Sequence, residues 1–449
     1  MGFLGQVNWE SARAEAEAHF IRLLQFNTTN PPGNELPAAE YLAEVLRKEG
    51  LEPEVFTSAP GRGSMVCRLK GTGEKAPLLL NGHLDVVPVE ESQWKYPPFA
   101  GTKAEGYIWG RGAVDMKQMV AMSLMSLILA KRTGARLKRD LIFAAVADEE
   151  AGGAFGAGWL VANHPYQLKA EYGLGEMGGF SMSMAGKTFY PVQVAEKGIC
   201  WVRLTATGEP GHGSIPNPES APIKLARALR KLGHIKLPQH NTPVVETFLK
   251  RLSQNQPFPN SVVLKLLLKP ALSSFILEKL FPDPGLAATF WAMLRNTANP
   301  TVLRAGEKTN VVPSIAVAEV DGRLLPGQTK ESFLAELREV IGPDLLIEVL
   351  NELKPTATDP NDPILAEIAK LVDKHDPGAV AVPYMVPAFT DATHYSKLGV
   401  KCFGFIPMKL KPDDTFKTLS AHGHNERIPA AAFHFGVRLL AELVEALSS

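Results

Sequence analysis

A chain of 449 residues with 45% apolar and 21% charged side chains has the composition of an ordinary globular protein of two or three domains, which excludes fibrous, disordered and disulfide-stapled classes. Lys and Arg balance Asp and Glu, 47 against 47, so no global field draws the protein to nucleic acid or anionic lipid. Cys67, Cys200 and Cys402 are odd in number and far apart, which fits a reducing compartment and leaves His, Asp and Glu to hold any metal.

The N-terminus shows neither the basic and apolar regions of a signal peptide nor a myristoylation motif, so a cytoplasmic protein is expected. The most apolar run, 262–268, is interrupted by Lys265 and falls far short of the ~20 residues of a membrane span, so no membrane partner is expected either. Apolar positions recur at helical spacing over 9–26 and again over 37–50, where Gly50 supplies a natural stop. The runs 77–81 and 141–147 are short, almost wholly apolar and bounded by breakers, as strands buried on both faces of a parallel sheet would be, and 116–132 between them reads as a long apolar helix. Strand, helix and strand in that order make an α/β domain whose ligands bind at the carboxyl ends of the strands. From Glu196 the texture changes: 199–207 alternates with period two, as an antiparallel strand with one wet face does. A helix at 217–232, strands near 300–305 and 311–324, a helix at 330–341 and a strand at 345–352 complete a β-α-β-β-α-β order, the ferredoxin-like arrangement. An apolar insertion at 234–299 interrupts it. After Pro355 the α/β texture returns, with a helix near 363–374, a strand at 400–406 and a last helix near 429–447. The expected division is therefore 1–195 and 355–449 for one domain and 196–354 for a second, inserted one.

The strand at 78–81 runs into His83 and Asp85, two residues apart and on one side if the chain stays extended, which is the spacing of a metal ligand and the carboxylate that orients it; a polar surface turn explains it equally well. Asp115 precedes a long helix between Arg111 and Lys117, where it can cap the helix or bridge two cations. The strand 141–147 ends in Asp148, Glu149 and Glu150, a solvated acidic turn unless a cation is shared with His83; adjacent side chains point apart, so Glu150 can hold metal while Glu149 faces the water. Glu176 ends another apolar run among glycines, and His422 sits in a polar loop before the last helix; each alone is unremarkable. Together His83, Asp115, Glu150, Glu176 and His422 provide two imidazoles and three carboxylates, a ligand set for two zinc ions that share one bridging carboxylate.

Seven stretches in order, Leu79-Leu-Asn-Gly-His83-Leu-Asp85-Val-Val-Pro88, Gly110-Arg-Gly-Ala-Val-Asp115-Met-Lys117, Asp148-Glu149-Glu150-Ala-Gly-Gly153, Gly211-His212-Gly-Ser214, Lys308-Thr-Asn310-Val-Val-Pro313, Asp321-Gly-Arg323 and His422-Gly-His-Asn-Glu426, resemble the signatures of the two-zinc aminoacylase and glutamate-carboxypeptidase family, which also includes succinyl-diaminopimelate desuccinylase. The resemblance runs from about residue 20 to the C-terminus. It implies a zinc-exopeptidase-type mixed sheet with helices on both faces, carrying the ferredoxin-like α+β unit as a lid and dimerisation domain. It also implies that His83, Asp115 and Glu176 bind one zinc, that Asp115, Glu150 and His422 bind the other, that Co²⁺ or Mn²⁺ can substitute, that Asp85 orients His83, and that Glu149 is the general base. The family's cis peptide falls at Asp115-Met116.

The same resemblance makes His212, Asn310 and Arg323 binders of substrate carboxylate and oxyanion, with His212 reaching the site of the other subunit of a homodimer. The loop Pro387-Ala-Phe-Thr390-Asp391 looks like the aminoacylases rather than the desuccinylases and adds Thr390 to the substrate site. His424 stands where many members have Pro and has no assigned role. The expected activity is hydrolysis of an amide bond beside a free carboxylate in a small-molecule substrate, an N-acyl amino acid first and a dipeptide or short peptide second. The alternative of another class is a catalytically silent metal-binding protein, against which the presence of Glu149 and every ligand argues. The insertion at 234–299 reads as amphipathic helices that either pack on the lid or roof the acyl side of the cleft.

Overall fold

The computed structural model describes residues 2–281, 283–415 and 418–449. They form two compact units, one of Met1–Val194, Thr358–Tyr384 and Thr390–Ser449, the other of Ala195–Ala357 and Met385–Phe389. Among the described residues no helix is long and apolar enough to cross a membrane.

The first unit opens with helices α1 (Trp9–Leu24) and α2 (Leu36–Lys48), followed by a hairpin of β1 (Glu54–Ala59) and β2 (Arg62–Leu69), which the apolar pattern does not announce. Strand β3 (Leu78–His83), helix α3 (Lys117–Arg132), β4 (Leu141–Val146) and β5 (Tyr172–Gly175) are the expected strand–helix–strand core with one more strand. Both β3 and β4 are buried along their whole length, which is why they read as continuous apolar runs rather than alternating ones. A sixth strand, β6 (Lys187–Glu196), leads out of the unit. In the second unit β7 (Gly198–Thr207) and α4 (Ala221–His234) precede the insertion, which forms helices α5 (Pro243–Gln254), α6 (Asn260–Leu266), α7 (Pro270–Phe275) and α8 (Pro284–Leu294). Then come β8 (Thr297–Ala305), β9 (Ile315–Leu324), α9 (Lys330–Ile341) and β10 (Leu346–Leu353). The first unit is completed by α10 (Ile364–His375), β11 (Val380–Val386), β12 (Lys401–Gly404) and α11 (Ala430–Ser448).

The main sheet runs β1-β2-β4-β3-β5-β12-β6, with β4, β3, β5 and β12 parallel at its centre. Register matters for the chemistry: His83 pairs with Val146 and Leu80 with both Phe143 and Leu174, so three parallel strands end side by side and deliver their next residues to one edge. Helix α3 lies close on β3. A Cβ at Gly82 would stand 2.8 Å from Val120 Cγ2, so the residue before His83 has to be glycine for the helix to approach.

The second unit is an antiparallel sheet in the order β8-β9-β7-β10. Helices α4 and α9 cover one face, burying Val202, Leu204 and Ala206 of β7 against Leu225, Phe333 and Leu337. Trp201 and Thr207 face water, the alternation seen in the sequence. The strand expected over 311–324 is broken: Val311–Val312 pairs instead with Gly211–His212 as a short ribbon, and Pro313, which has no N–H to donate, separates it from β9.

Candidate metal centre

The strand ends bring His83, Glu149, Glu150 and Glu176 to the carboxyl edge of β3, β4 and β5, and the loops before α3 and α11 add Asp115 and His422. The His83 Nδ1–H donates to the Asp85 carbonyl oxygen at 2.9 Å, and the other ring nitrogen, Nε2, faces Asp115 Oδ1 at 3.1 Å and Glu176 Oε2 at 3.8 Å. His422 Nε2 lies 3.1 Å from both Asp115 Oδ2 and Glu150 Oε2. Asp115 therefore turns one oxygen to each imidazole, and two three-residue groups, His83/Asp115/Glu176 and Asp115/Glu150/His422, meet at it. Donors about 2.1 Å from a tetrahedral ion stand about 3.4 Å apart; the imidazole nitrogens here stand 3.1–3.8 Å from their carboxylate neighbours, and all donors of each group lie within 4.8 Å of one another. The residues present thus fit a pair of divalent cations.

The electrostatics point the same way. Burial pushes the Glu149 carboxyl well above the usual range, and the Glu176 charge pushes it further. Burial raises Glu176 likewise. Burial also works against ionising Asp115, but hydrogen bonds from His422 and His83 outweigh it and hold that carboxyl low. The Asp115 and Glu150 carboxylates raise the His422 imidazole to about 10. So much acid in one buried place is held together by protons, which divalent cations would displace.

The supporting groups are also specific. Asp85 is fully buried, and its carboxylate accepts the backbone N–H of Glu149 at 3.0 Å and of Glu150 at 3.1 Å, while His83 Nδ1 stands 3.5 Å from it. The Asp85 carbonyl is therefore the nearer partner of His83, and its carboxylate holds the turn that carries Glu149 and Glu150. That turn is strained: Asp148 has φ +71°, and Gly152 and Gly153 are also left-handed. The loop of Asp115 is gathered by Glu426, whose carboxylate accepts the N–H of Gly112, Val114 and Asp115 at 2.7–3.1 Å and pairs with Arg111 at 2.7 Å. The Asp115–Met116 peptide is cis.

The sequence profile of peptidase family M20/M25/M40 matches residues 79–446. The chain belongs to this family. It is 30% identical over 424 residues to the N-fatty-acyl-amino acid synthase/hydrolase PM20D1 of Xenopus tropicalis, covering 90% of this chain and 79% of that protein. It is likewise 30% identical over 439 residues to aminoacylase-1 of Sus scrofa, covering 96% and 94%. Two solved structures share the fold. The M20 family metallo-carboxypeptidase Sso-CP2 from Sulfolobus solfataricus has a TM-score of 0.69 at 19% identity, covering 96% of this chain and 98% of that one. The dinuclear metal-binding M20 peptidase YXEP of Bacillus subtilis has a TM-score of 0.59 at 14% identity, covering 98% and 99%. As an M20 member the chain is a hydrolase of amide bonds.

Of the other expected site residues, His212, Asn310 and Arg323 belong to the second unit. His212 is exposed on the Gly211–His212 ribbon, its Nδ1 2.7 Å from Ser214 Oγ, and Asn310 enters the paired strand, its carbonyl accepting the Gly213 N–H at 2.8 Å. Arg323 sits near the far end of β9, with Nε and Nη2 on the Asp321 carboxylate at 2.8 and 3.1 Å. Thr390 is buried and lines, with Glu176, Asn81 and Tyr395, a small cavity of about 20 Å³. His424 is exposed in the His422 loop. Sequence reading passes over Asn30, Glu35 and Arg62. Asn30 Nδ2 reaches Asp85 at 2.9 Å and Asp148 at 3.1 Å, and Arg62 joins Asp148 to the buried Glu35. Their partners lie 55 and 86 positions away, so no local pattern signals them.

Proposed function

We propose that this chain is a cytoplasmic two-zinc hydrolase that cleaves N-acyl amino acids at the amide bond beside the free carboxylate and releases the amino acid. The observation that carries the reading is the pair of ligand groups joined through Asp115 with Glu149 at their side, 3.9 Å from His83 Nε2, in a chain whose relatives include aminoacylase-1 and N-fatty-acyl-amino acid synthase/hydrolases. Imidazole and carboxylate donors with room for water suit zinc, and Co²⁺ or Mn²⁺ can use the same set. When bound, the ions supply a water of lowered pKa and polarise the scissile carbonyl.

The chain's own side chains do the rest. Asp85 holds the 149–150 turn, so that Glu149 takes a proton from the attacking water and delivers it to the leaving nitrogen. A carboxyl raised by burial is suited to both halves of that transfer. Arg323 receives the substrate carboxylate: its Nη1 is buried with no partner among the described residues, a donor available to a carboxylate oxygen. Thr390 positions the substrate, and His212 and Asn310 stabilise the carbonyl oxygen as its charge develops, contributed by the second subunit of a homodimer.

The test is zinc-loaded protein assayed for free amine against N-acyl amino acids of graded acyl length beside a dipeptide set. Glu149→Gln should cost about 10³-fold or more in kcat with two zinc ions retained by elemental analysis. Glu150→Ala and His422→Ala should instead lower metal content. Turnover near that of the parent protein in Glu149→Gln, or full zinc occupancy in both ligand variants, would overturn the assignment.

A further inference from the structure

The neutrality of the whole chain hides a local imbalance. Residues 221–295 carry eleven Lys and Arg against three Asp and Glu. Within that stretch the insertion also leaves large apolar side chains uncovered. Phe258 is 82% exposed, Phe275 57% and Leu280 56%, and Val262 and Leu272 are exposed as well. These side chains are not needed for packing, because Leu264, Leu267, Ile276 and Leu277 are already buried and supply the inward faces of the same helices.

Exposed basic and apolar groups recur along both short helices. Val262 and the exposed Lys265 are three apart on α6, and Leu272 and Phe275 are three apart on α7, so each pair shares a helix face. The exposed Lys269 and Lys279 flank α7, and Glu278, the acid beside them, is engaged by Lys236. A second copy of this face brings the same excess of lysines and so supplies no opposite charge to pair them. The face does complement a surface that is negatively charged at a polar layer and apolar just beneath.

We infer that residues 258–280 form a docking face for an anionic lipid surface, with Lys265, Lys269 and Lys279 at the phosphate layer and Phe258, Phe275 and Leu280 inserted at the acyl boundary. This is contact in the plane of the interface rather than a crossing of it, and its strength is the sum of buried apolar area and attraction to headgroups. It is independent of the reaction the enzyme performs.

The test is sedimentation of the full chain with vesicles of phosphatidylcholine containing 30% phosphatidylglycerol and with phosphatidylcholine alone. Binding should need the anionic lipid and weaken with added salt. Combined Lys265→Glu, Lys269→Glu and Lys279→Glu should lower partitioning about a hundredfold or more. Combined Phe258→Ser and Phe275→Ser should lower it about tenfold or more. Both variants should keep the parent's melting temperature, oligomeric mass and hydrolysis of a soluble N-acetyl amino acid. Failure to sediment with anionic vesicles, sedimentation unchanged in the variants, or a change in oligomeric mass in place of vesicle binding would overturn the inference.

Discussion

Glu35 is fully buried, and its one cationic partner among the described residues is Arg62, whose Nη2 lies 3.0 Å from Glu35 Oε1 and 2.6 Å from Asp148 Oδ1. One guanidinium serving two carboxylates cannot neutralise both. Burial, with the Asp85 charge behind it, pushes the Glu35 carboxyl up to about 7 against the pull of Arg62. A carboxyl whose folded pKa lies above its unfolded value of 4.5 binds a proton on folding. Its favourable contribution is complete below pH 4.5 and is lost as the pH rises through 7. Glu35→Gln has no such proton to lose. Its stability relative to the parent chain should therefore improve by about 2 kcal/mol between pH 5 and pH 8, read from urea denaturation at the two pH values. An equal difference at both would mean that Arg62 holds Glu35 at an ordinary pKa. This network marks where sequence reading stops at the residue scale. His83, Asp115, Glu150, Glu176 and His422 are visible because each ends a strand or a loop beside glycines, in a local context. Asn30, Glu35 and Arg62 acquire their roles only when β2, β3 and the turn after β4 are brought together.

Among the elements, α10 and α11 are joined by one carboxylate. Glu442 of α11 accepts from Lys374 Nζ at 2.6 Å, His375 Nε2 at 2.9 Å and, four residues earlier on its own helix, Arg438 Nε at 2.9 Å. Burial alone would raise this carboxyl, but the hydrogen bonds from Lys374, His375 and Arg438 outweigh burial and bring it down to about 2. With the folded value depressed, the contribution is present above pH 4.5 and lost as the pH falls toward 2. Glu442→Gln should therefore cost about 2 kcal/mol at pH 7, and the cost should shrink steadily below pH 4.5. Denaturant titrations of the two proteins at pH 7, 4 and 3 measure it, and a cost independent of pH would show that Glu442 acts by packing alone. Both helices are legible from their apolar spacing, whereas the clamp between them is not. Strand β6 also escapes a reading by pattern, because Pro191 and Gln193 interrupt a stretch that is nonetheless buried from Phe189 to Glu196. The insertion illustrates the opposite case: its helical spacing is plain, but which of its apolar side chains face outward is decided by tertiary packing.

For the whole molecule, the question is whether one chain contains a whole active site. Within the second unit the ribbon bearing His212 and Asn310 follows the Thr207/Ile315 end of the β7–β9 pair, while Arg323 lies opposite Ile199 at the other end. Eight residue steps along the strand separate Ile315 from Arg323, roughly 25 Å, several times the length of an amino acid. If Arg323 takes the substrate carboxylate, His212 of the same chain is out of reach of the adjoining amide, and a second copy has to supply it. Mixing makes this decisive. His212→Ala and Glu149→Gln should each be inactive alone. A dimer containing one of each has one site with an intact Glu149 and an intact imidazole from the other chain, and one site lacking both. After exchange at equal concentrations about half the dimers are mixed, so about a quarter of the parent activity should return. If His212 instead serves its own chain, every site in every mixed dimer lacks one of the two groups, and activity stays at the level of the single variants however long the chains exchange.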